Sequence, residues 1–328
     1  MMRVCFGGNT LMEITIGGMK TLESGIGGEA LELMGINIFG SFWSILLTAF
    51  AVFFLISSLI WMIKVYPKKP RTGVKWNSDC EFQSKAVIDG DDVTFFNVRD
   101  FFWRTTKDRD EKWDEKITVN VNEIKDVWFV VDHFHKIHGL AHTFLTIEFN
   151  DGTCLSFSFE ARRIKGQRYH PWDGMWRNYE LFLLVGHERD LLGLRTNARG
   201  NKDYMFRAIT PPGKEKQLLF GLAKSINSLI ENPIWYHSIL TTCNTSIVKL
   251  VNKVTPGRIP FFLRNFLPGY TPKVAFKLAL IEDWGGFENT LDKARIDEKA
   301  MLWDGKGDYS QMIRTHLPAK KSSTSENK

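Results

Sequence analysis

The hydrophobic pattern along the chain opens with one long run. From Ile38 to Ile63 no residue is charged, and the stretch exceeds the roughly 20 residues that cross a hydrocarbon core of about 30 Å. Only Ser and Thr interrupt it, so it lacks the polar face of a soluble core helix. A transmembrane helix is predicted over 36–64. Trp43 near one end, with Trp61 and Tyr66 near the other, suits an interfacial aromatic belt. The run starts too late and is too long for a cleaved signal peptide. Residues 1–35, Gly-rich and without periodicity, read as a loose leader, with Met34 as an alternative start. Pro67-Lys68-Lys69-Pro70 closes the anchor and opens a linker to residue 85.

The pattern then changes to short β-type runs at 93–98, 127–134, 142–149, 154–161, 179–186 and 204–209. Two helical stretches follow, 214–231 and 243–254, with apolar residues spaced by three and four. Strands first and helices later predict an α+β domain over 86–255 with a largely antiparallel sheet. Residues 256–319 form an extension without readable chemistry, and the polar tail 320–328 has the composition of disorder.

One hairpin can be read residue by residue. In a three-residue Asn150-Asp151-Gly152 loop, Gly152 supplies the left-handed position. The register then pairs Phe149 with Thr153 and Leu145 with Phe157. Alternation gives an apolar face (Thr143, Leu145, Ile147, Phe149, Leu155, Phe157, Phe159) and a second face bearing His142, Thr146, Glu148, Ser156, Ser158 and Glu160. His142 falls opposite Glu160. A two-residue Asp-Gly loop would pair apolar with polar positions.

Composition narrows the function. The net charge of +6 is spread among acids, as in Lys107-Asp108-Arg109-Asp110, which argues against nucleic-acid binding. Cys5, Cys80, Cys154 and Cys243 are too few and scattered for a disulfide framework, although a Cys80–Cys154 pair stays open. His133, His135 and His138 lack a fixed metal spacing. Neither a metal nor a cofactor is expected.

Cys243 follows Thr241-Thr242, which are capping residues by type, and opens a helix. Backbone N–H groups and the helix dipole there favour a thiolate and offer donors to an oxyanion. With His142 as base and Glu160 behind it, this is a nucleophilic centre. The competing readings are a buried core cysteine and a Glu160 paired with Arg162 or Arg163. Glu188-Arg189-Asp190 and Arg195 read first as a structural charge network.

Asn97-Val98-Arg99-Asp100-Phe101, Ala141-His142-Thr143, Ser158-Phe159-Glu160-Ala161-Arg162, Tyr179-Glu180-Leu181, Glu188-Arg189-Asp190, Leu194-Arg195-Thr196-Asn197 and the Trp235-to-Ile247 segment occur in order. Over roughly residues 75–255 this set resembles the Lnb N-terminal periplasmic domain family of bacterial membrane proteins. That family usually shows Asn-Cys-Thr-Thr-Asn around its cysteine, where this chain has Thr242-Cys243-Asn244-Thr245-Ser246. The preceding Asn is thus not carried over. The resemblance implies acyl transfer, since the family includes a lipoprotein N-acyltransferase using Cys and His. The order His142 before Cys243 also resembles circularly permuted papain-like (NlpC/P60-like) enzymes such as lecithin–retinol acyltransferase.

The expectation is therefore a cysteine acyltransferase with Cys243, His142 and Glu160 as its centre. Thr242, Asn244, Arg99, Arg162, Tyr179, Glu188 and Arg195 are the supporting or substrate-binding set, and Arg99, Arg162 and Arg195 are candidates for a phosphate headgroup. Membrane phospholipid and lipoprotein would be the substrates. The alternatives are a peptidase or amidase acting on cell-wall peptides, and a non-catalytic membrane scaffold. Lys64, Lys68, Lys69, Arg71 and Lys75 follow the span, with only Arg3 and Lys20 before it, which by charge alone favours a cytoplasmic domain. The resemblance implies a periplasmic domain on a single-pass protein of the bacterial inner membrane, and that expectation is adopted.

Overall fold

The computed structural model describes the backbone of residues 28–260 and 266–320, with side chains from residue 42 onward. Cys5, leader residues 1–27 and the tail from 321 lie outside the described residues. The chain divides into two compact units, Met1–Pro67 and Lys68–Lys328.

In the first, helix α1 spans Gly28–Ile60 and runs on as one wider turn, Trp61–Val65. Residues 28–35, grouped above with the leader, are thus helical; Glu29-Ala30-Leu31-Glu32-Leu33 are strong helix formers. The segment Phe42–Val65 has 24 residues at mean hydropathy 2.4. Phe53 and Leu55 are 67% and 70% exposed, a surface that suits hydrocarbon and not water. Thr48 Oγ1 donates to the Ser44 carbonyl at 2.7 Å, so its hydroxyl is satisfied within the helix.

The second unit is built on an eight-stranded sheet. Its strands are β1 (Lys85–Asp89), β2 (Asp92–Arg99), β5 (Trp113–Asn120), β6 (Ile124–His133), β7 (His142–Phe149), β8 (Cys154–Arg162), β9 (Glu180–His187) and β10 (Lys202–Arg207). Short β3 (Phe102–Trp103) and β4 (Arg109–Asp110) pair apart from it. The order is β1-β2-β9-β8-β7-β6-β10, with β5 on β2. All pairings are antiparallel except β2 with β9, which meet in parallel at Arg99 and Gly186. The six predicted runs are all strands. Besides the two-residue β3 and β4, the missed ones are β1 and β5, whose many charged or exposed residues hide the alternation.

The β7–β8 hairpin takes the expected register, Leu145 opposite Phe157 and Ile147 opposite Leu155. Gly152 has φ 90°, and its N–H donates to the Phe149 carbonyl at 3.0 Å. Both predicted helices form with the expected limits, α3 (Lys214–Glu231) and α4 (Cys243–Val254). They bury Leu219, Leu222, Ile226, Ile247 and Leu250 over the sheet, which gives them one apolar stripe each. Asn227 of α3 also bonds both Ala86 N and Ala86 O, covering the β1 edge.

The second hairpin face is not solvated. Thr146, Ser156 and Ser158 are fully buried, under α2 (Glu188–Gly193) and the C-terminal extension. That extension supplies α5 (Thr271–Lys277), α6 (Phe287–Lys293), α7 (Asp297–Ala300) and α8 (Tyr309–Arg314), and bridges β10 at Tyr204–Arg295 and Ala208–Ile281. It is an integral part of the domain. Arg314 of α8 donates to both oxygens of Glu188 at 2.6 Å and to Glu148 at 3.0 Å.

Candidate active site

Two local structures bring the site together. Thr242 caps α4: its Oγ1 accepts from Thr245 N at 3.2 Å, while Thr245 Oγ1 accepts from Thr242 N at 2.8 Å. This reciprocal box fixes the first turn, and Cys243 is its first residue. His142 is the first residue of β7, at the rim of the sheet, where its ring can meet groups from both sides. Cys243 is 5% exposed, and His142 and Thr143 are the neighbours that act on its thiol.

The other edge of the imidazole is held by β8. His142 Nε2 lies 2.7 Å from Ser158 Oγ and 3.2 Å from Glu160 Oε1. Ser158 donates to Glu160 at 2.8 Å. Nε2 thus faces the Ser–Glu pair. Arg195 Nη2 donates to the same Glu160 oxygen at 2.9 Å, and its Nε is 3.1 Å from Asp132. The sequence pointed to Glu160 and placed Ser158 on the same face, but a serine on a strand carries no mark of the link it makes to the ring.

Electrostatics follow from this chain of contacts. Burial opposes charge on His142, but Glu160 and Cys243 outweigh it and raise the imidazolium to about 10. Burial likewise opposes a Cys243 thiolate, and His142 with Thr143 N–H overcomes it, lowering the thiol. Glu160 is driven well below the usual carboxylate range, against burial, by His142 and Arg195. The other described cysteines go the opposite way: burial and Asp79 push Cys80 up to about 11, and burial with Glu188 raises Cys154. All three are free thiols, so the open Cys80–Cys154 pairing does not occur.

The sign of the pH dependence is set by these shifts. Thiolate accumulates as pH rises through the lowered Cys243 value, and imidazolium is lost as pH rises through about 10. Iodoacetamide should therefore alkylate Cys243 at pH 6–7 at least about tenfold faster than a free thiol of ordinary pKa. A rate following an unperturbed thiol, rising only near pH 8.5–9, would contradict the ion pair.

The supporting set divides. Thr242 and Asn244 stand at the site, with Thr143 Oγ1 3.5 Å from Asn244 Oδ1. Arg195 orients Glu160. Arg99 is buried and bidentate to Asp190 at 2.7 and 2.9 Å. Arg162 bonds the Cys80 and Glu81 carbonyls and stacks on Trp76. The phosphate-headgroup expectation for Arg99, Arg162 and Arg195 is therefore corrected, because each guanidinium is buried and engaged by the protein's own acceptors. Glu188 is held by Arg314, and Tyr179 is fully buried, donating to Arg168 O at 2.9 Å. Arg189 pairs with Asp100, which completes the structural network expected around Glu188.

Two residues not foreseen feel the charge of Cys243. Tyr236 and Tyr169 hydroxyls lie 3.2 Å apart, and burial first, then the Cys243 thiolate, raises Tyr236; burial also dominates the raised Tyr169. Both remain protonated O–H donors. His133 and His138 stack on each other at 4.6 Å, while Asp100, Asp114 and His187 cluster around the ammonium of Lys112, 3.1 Å from Asp100 and 2.7 Å from Asp114.

Fold and site together give an apolar N-terminal helix long enough to cross a membrane and an α+β domain carrying a Cys–His–carboxylate chain of contacts. Residues 109–269 match the family model of the Lnb N-terminal periplasmic domain. The match leaves out the Asn97-to-Phe101 motif and extends beyond residue 255 into the C-terminal extension. The family and the single apolar helix fit a single-pass membrane protein with a periplasmic domain. No curated protein and no solved structure matches the chain significantly.

Proposed function

We propose that the protein is a cysteine acyltransferase of the bacterial inner membrane, moving an acyl chain from phospholipid to a lipoprotein amine. The observation that carries this reading is the buried Cys243–His142 pair, with Glu160 and Ser158 on Nε2 of the imidazole. Its arrangement, histidine opening a strand and cysteine opening a later helix, also supports a permuted papain-like domain.

The thiolate attacks the ester carbonyl carbon of the donor lipid, and the carbonyl electrons move onto oxygen. N–H groups of the first turn of α4 and the Tyr236 hydroxyl are the candidate donors to that oxyanion. Collapse breaks the bond to the glycerol oxygen, which takes a proton from His142 imidazolium and leaves as lysophospholipid. A neutral amine then attacks the thioester, His142 takes its proton, and an amide leaves with the thiolate restored. Two half-reactions through one nucleophile let two membrane substrates share one site in turn. A membrane anchor lowers the entropic cost of meeting them.

The test is mass spectrometry of lipoprotein N-termini from cells with and without the protein. The expected result is an additional acyl group on the terminal amine only when the protein is present. Unchanged acylation, together with lipid-independent cleavage of soluble wall peptides, would favour the peptidase or amidase instead.

A further inference from the structure

One end of the sheet differs from the other in a way that the chemistry at Cys243 does not require. β6 ends at His133 and β7 begins at His142, while β8 ends at Arg162 and β9 begins at Glu180. The antiparallel registers bring the 134–141 and 163–179 loops to the same end. The 234–242 segment joins them: Trp235 bridges Glu180, Leu181 N donates to Ile234 O at 2.9 Å, and Ser238 Oγ donates to Pro171 O at 2.5 Å. The turn at 267–270 is locked on as well, with Gly269 N donating to Gly139 O at 3.2 Å. A Cβ at Gly269 would strike the His138 carbonyl. His142 and Cys243 therefore lie directly behind this group of loops.

These loops present large apolar side chains outward. Trp172, Ile137 and Leu240 are 62%, 61% and 58% exposed, and Ile239, Leu267 and Tyr270 are exposed beside them. In water such a grouping is unfavourable, and monomers seldom show one without an interaction to cover it. The loops at 134–141, 163–179 and 234–242 hold five basic residues against one acid, Asp173; of these Lys136, Lys165 and Arg168 are exposed, while Arg163 is paired with Asp79 and Arg177 is half-buried. At the opposite end of β6–β8 the turns are polar and acidic: Asn150 Nδ2 donates to Glu123, and Asn122 Nδ2 to Asp91.

The path of the chain supplies a second observation. Lys68 Nζ donates to Trp176 O at 2.8 Å, Trp235 Nε1 donates to Lys68 O at 3.1 Å, and Arg71 N donates to Glu180 at 2.5 Å. The segment that leads in from the anchor is thus fastened to the apolar loops themselves.

We infer that this loop face is a membrane-docking surface: its aromatic and aliphatic tips enter the interface of an anionic phospholipid bilayer, and its exposed Lys136, Lys165 and Arg168 meet the headgroups. Trp and Tyr favour that interface, and Lys or Arg near anionic lipid strengthens binding. A cavity of about 520 Å³, lined in part by Leu240, Val248, Ile259 and Phe266, continues from Leu240 along α4 and offers an apolar slot beside the docking face. The surface stands independently of any acyl transfer at Cys243.

The test uses the full chain in nanodiscs of phosphatidylethanolamine and phosphatidylglycerol, in a Cys5→Ser, Cys243→Ser background that has no catalytic thiol. Trp172→Cys, Leu240→Cys and, at the opposite end, Asp151→Cys are labelled singly with an environment-sensitive nitrobenzoxadiazole dye. The expected result is a blue-shifted emission at 172 and 240, quenched by doxyl-labelled lipid at least twofold more than at 151. Equal quenching at all three positions would overturn docking. Because the background is inactive, that failure would leave the acyl-transfer reading untouched, and unchanged lipoprotein acylation would leave docking untouched.

Discussion

In the proposed reaction the acyl group is carried on the Cys243 thiol, so Cys243→Ala is expected to abolish acyl transfer, with at least about a 10⁴-fold loss of rate. His142→Gln should fall nearly as far, since it removes both the proton acceptor and the cation that keeps the thiolate charged. The two losses should not add, as the residues act as one unit. Glu160→Gln should cost less, about 10- to 100-fold, because Ser158 still meets Nε2. Cys80→Ala and Cys154→Ala should retain activity, their thiols being raised by burial and far from the histidine chemistry. The measurement is the initial rate of acyl transfer from phospholipid to a lipopeptide amine, alongside labelling by an acyl probe. A Cys243→Ala protein that keeps more than a few per cent of the rate, or complements fully in cells, would eliminate the nucleophile assignment.

Arg314→Met should produce the largest loss of stability. Arg314 satisfies both oxygens of fully buried Glu188, reaches Glu148 and lies over the Trp128 ring. Removing it leaves Glu188 charged and without its cation, which costs about 3–5 kcal/mol. For a domain of this size that lowers the melting temperature by roughly 6–20 °C. Glu188→Gln combined with Arg314→Met should recover part of the loss, because the stranded charge is then gone. Both carboxylates lie below their ordinary values, with burial opposing and, beside Lys125 for Glu148, Arg314 prevailing. Their contribution is therefore present above the unfolded carboxylate range and is lost as pH falls through the lowered values. Thermal unfolding followed by circular dichroism checks this; a shift below about 2 °C would remove Arg314 from its keystone role.

These two arginine and cysteine cases show where the sequence is legible. The anchor was readable because a run without charge has one stable environment. The hairpin was readable because alternation and Gly152 allow one register, and that register put Glu160 within reach of His142. The limits of α3 and α4 followed from apolar spacing and from Thr242, and so the cysteine could be placed at a helix start.

Tertiary structure decided the rest. Polar residues on the second hairpin face looked suited to solvent, yet are buried, because Arg314, 126 positions beyond Glu188 in the sequence, arrives to neutralise them. Arg99 and Arg162 looked like anion ligands until their buried acceptors were in view, since a guanidinium on a strand carries no mark of what it will face. Ser158, Tyr236 and the loop end bearing Trp172 and Leu240 belong together only because antiparallel strands return to the same end of the sheet. Local patterns set which elements form; contacts between distant residues set which charges are neutralised, which thiol faces a histidine and which apolar side chains stay exposed.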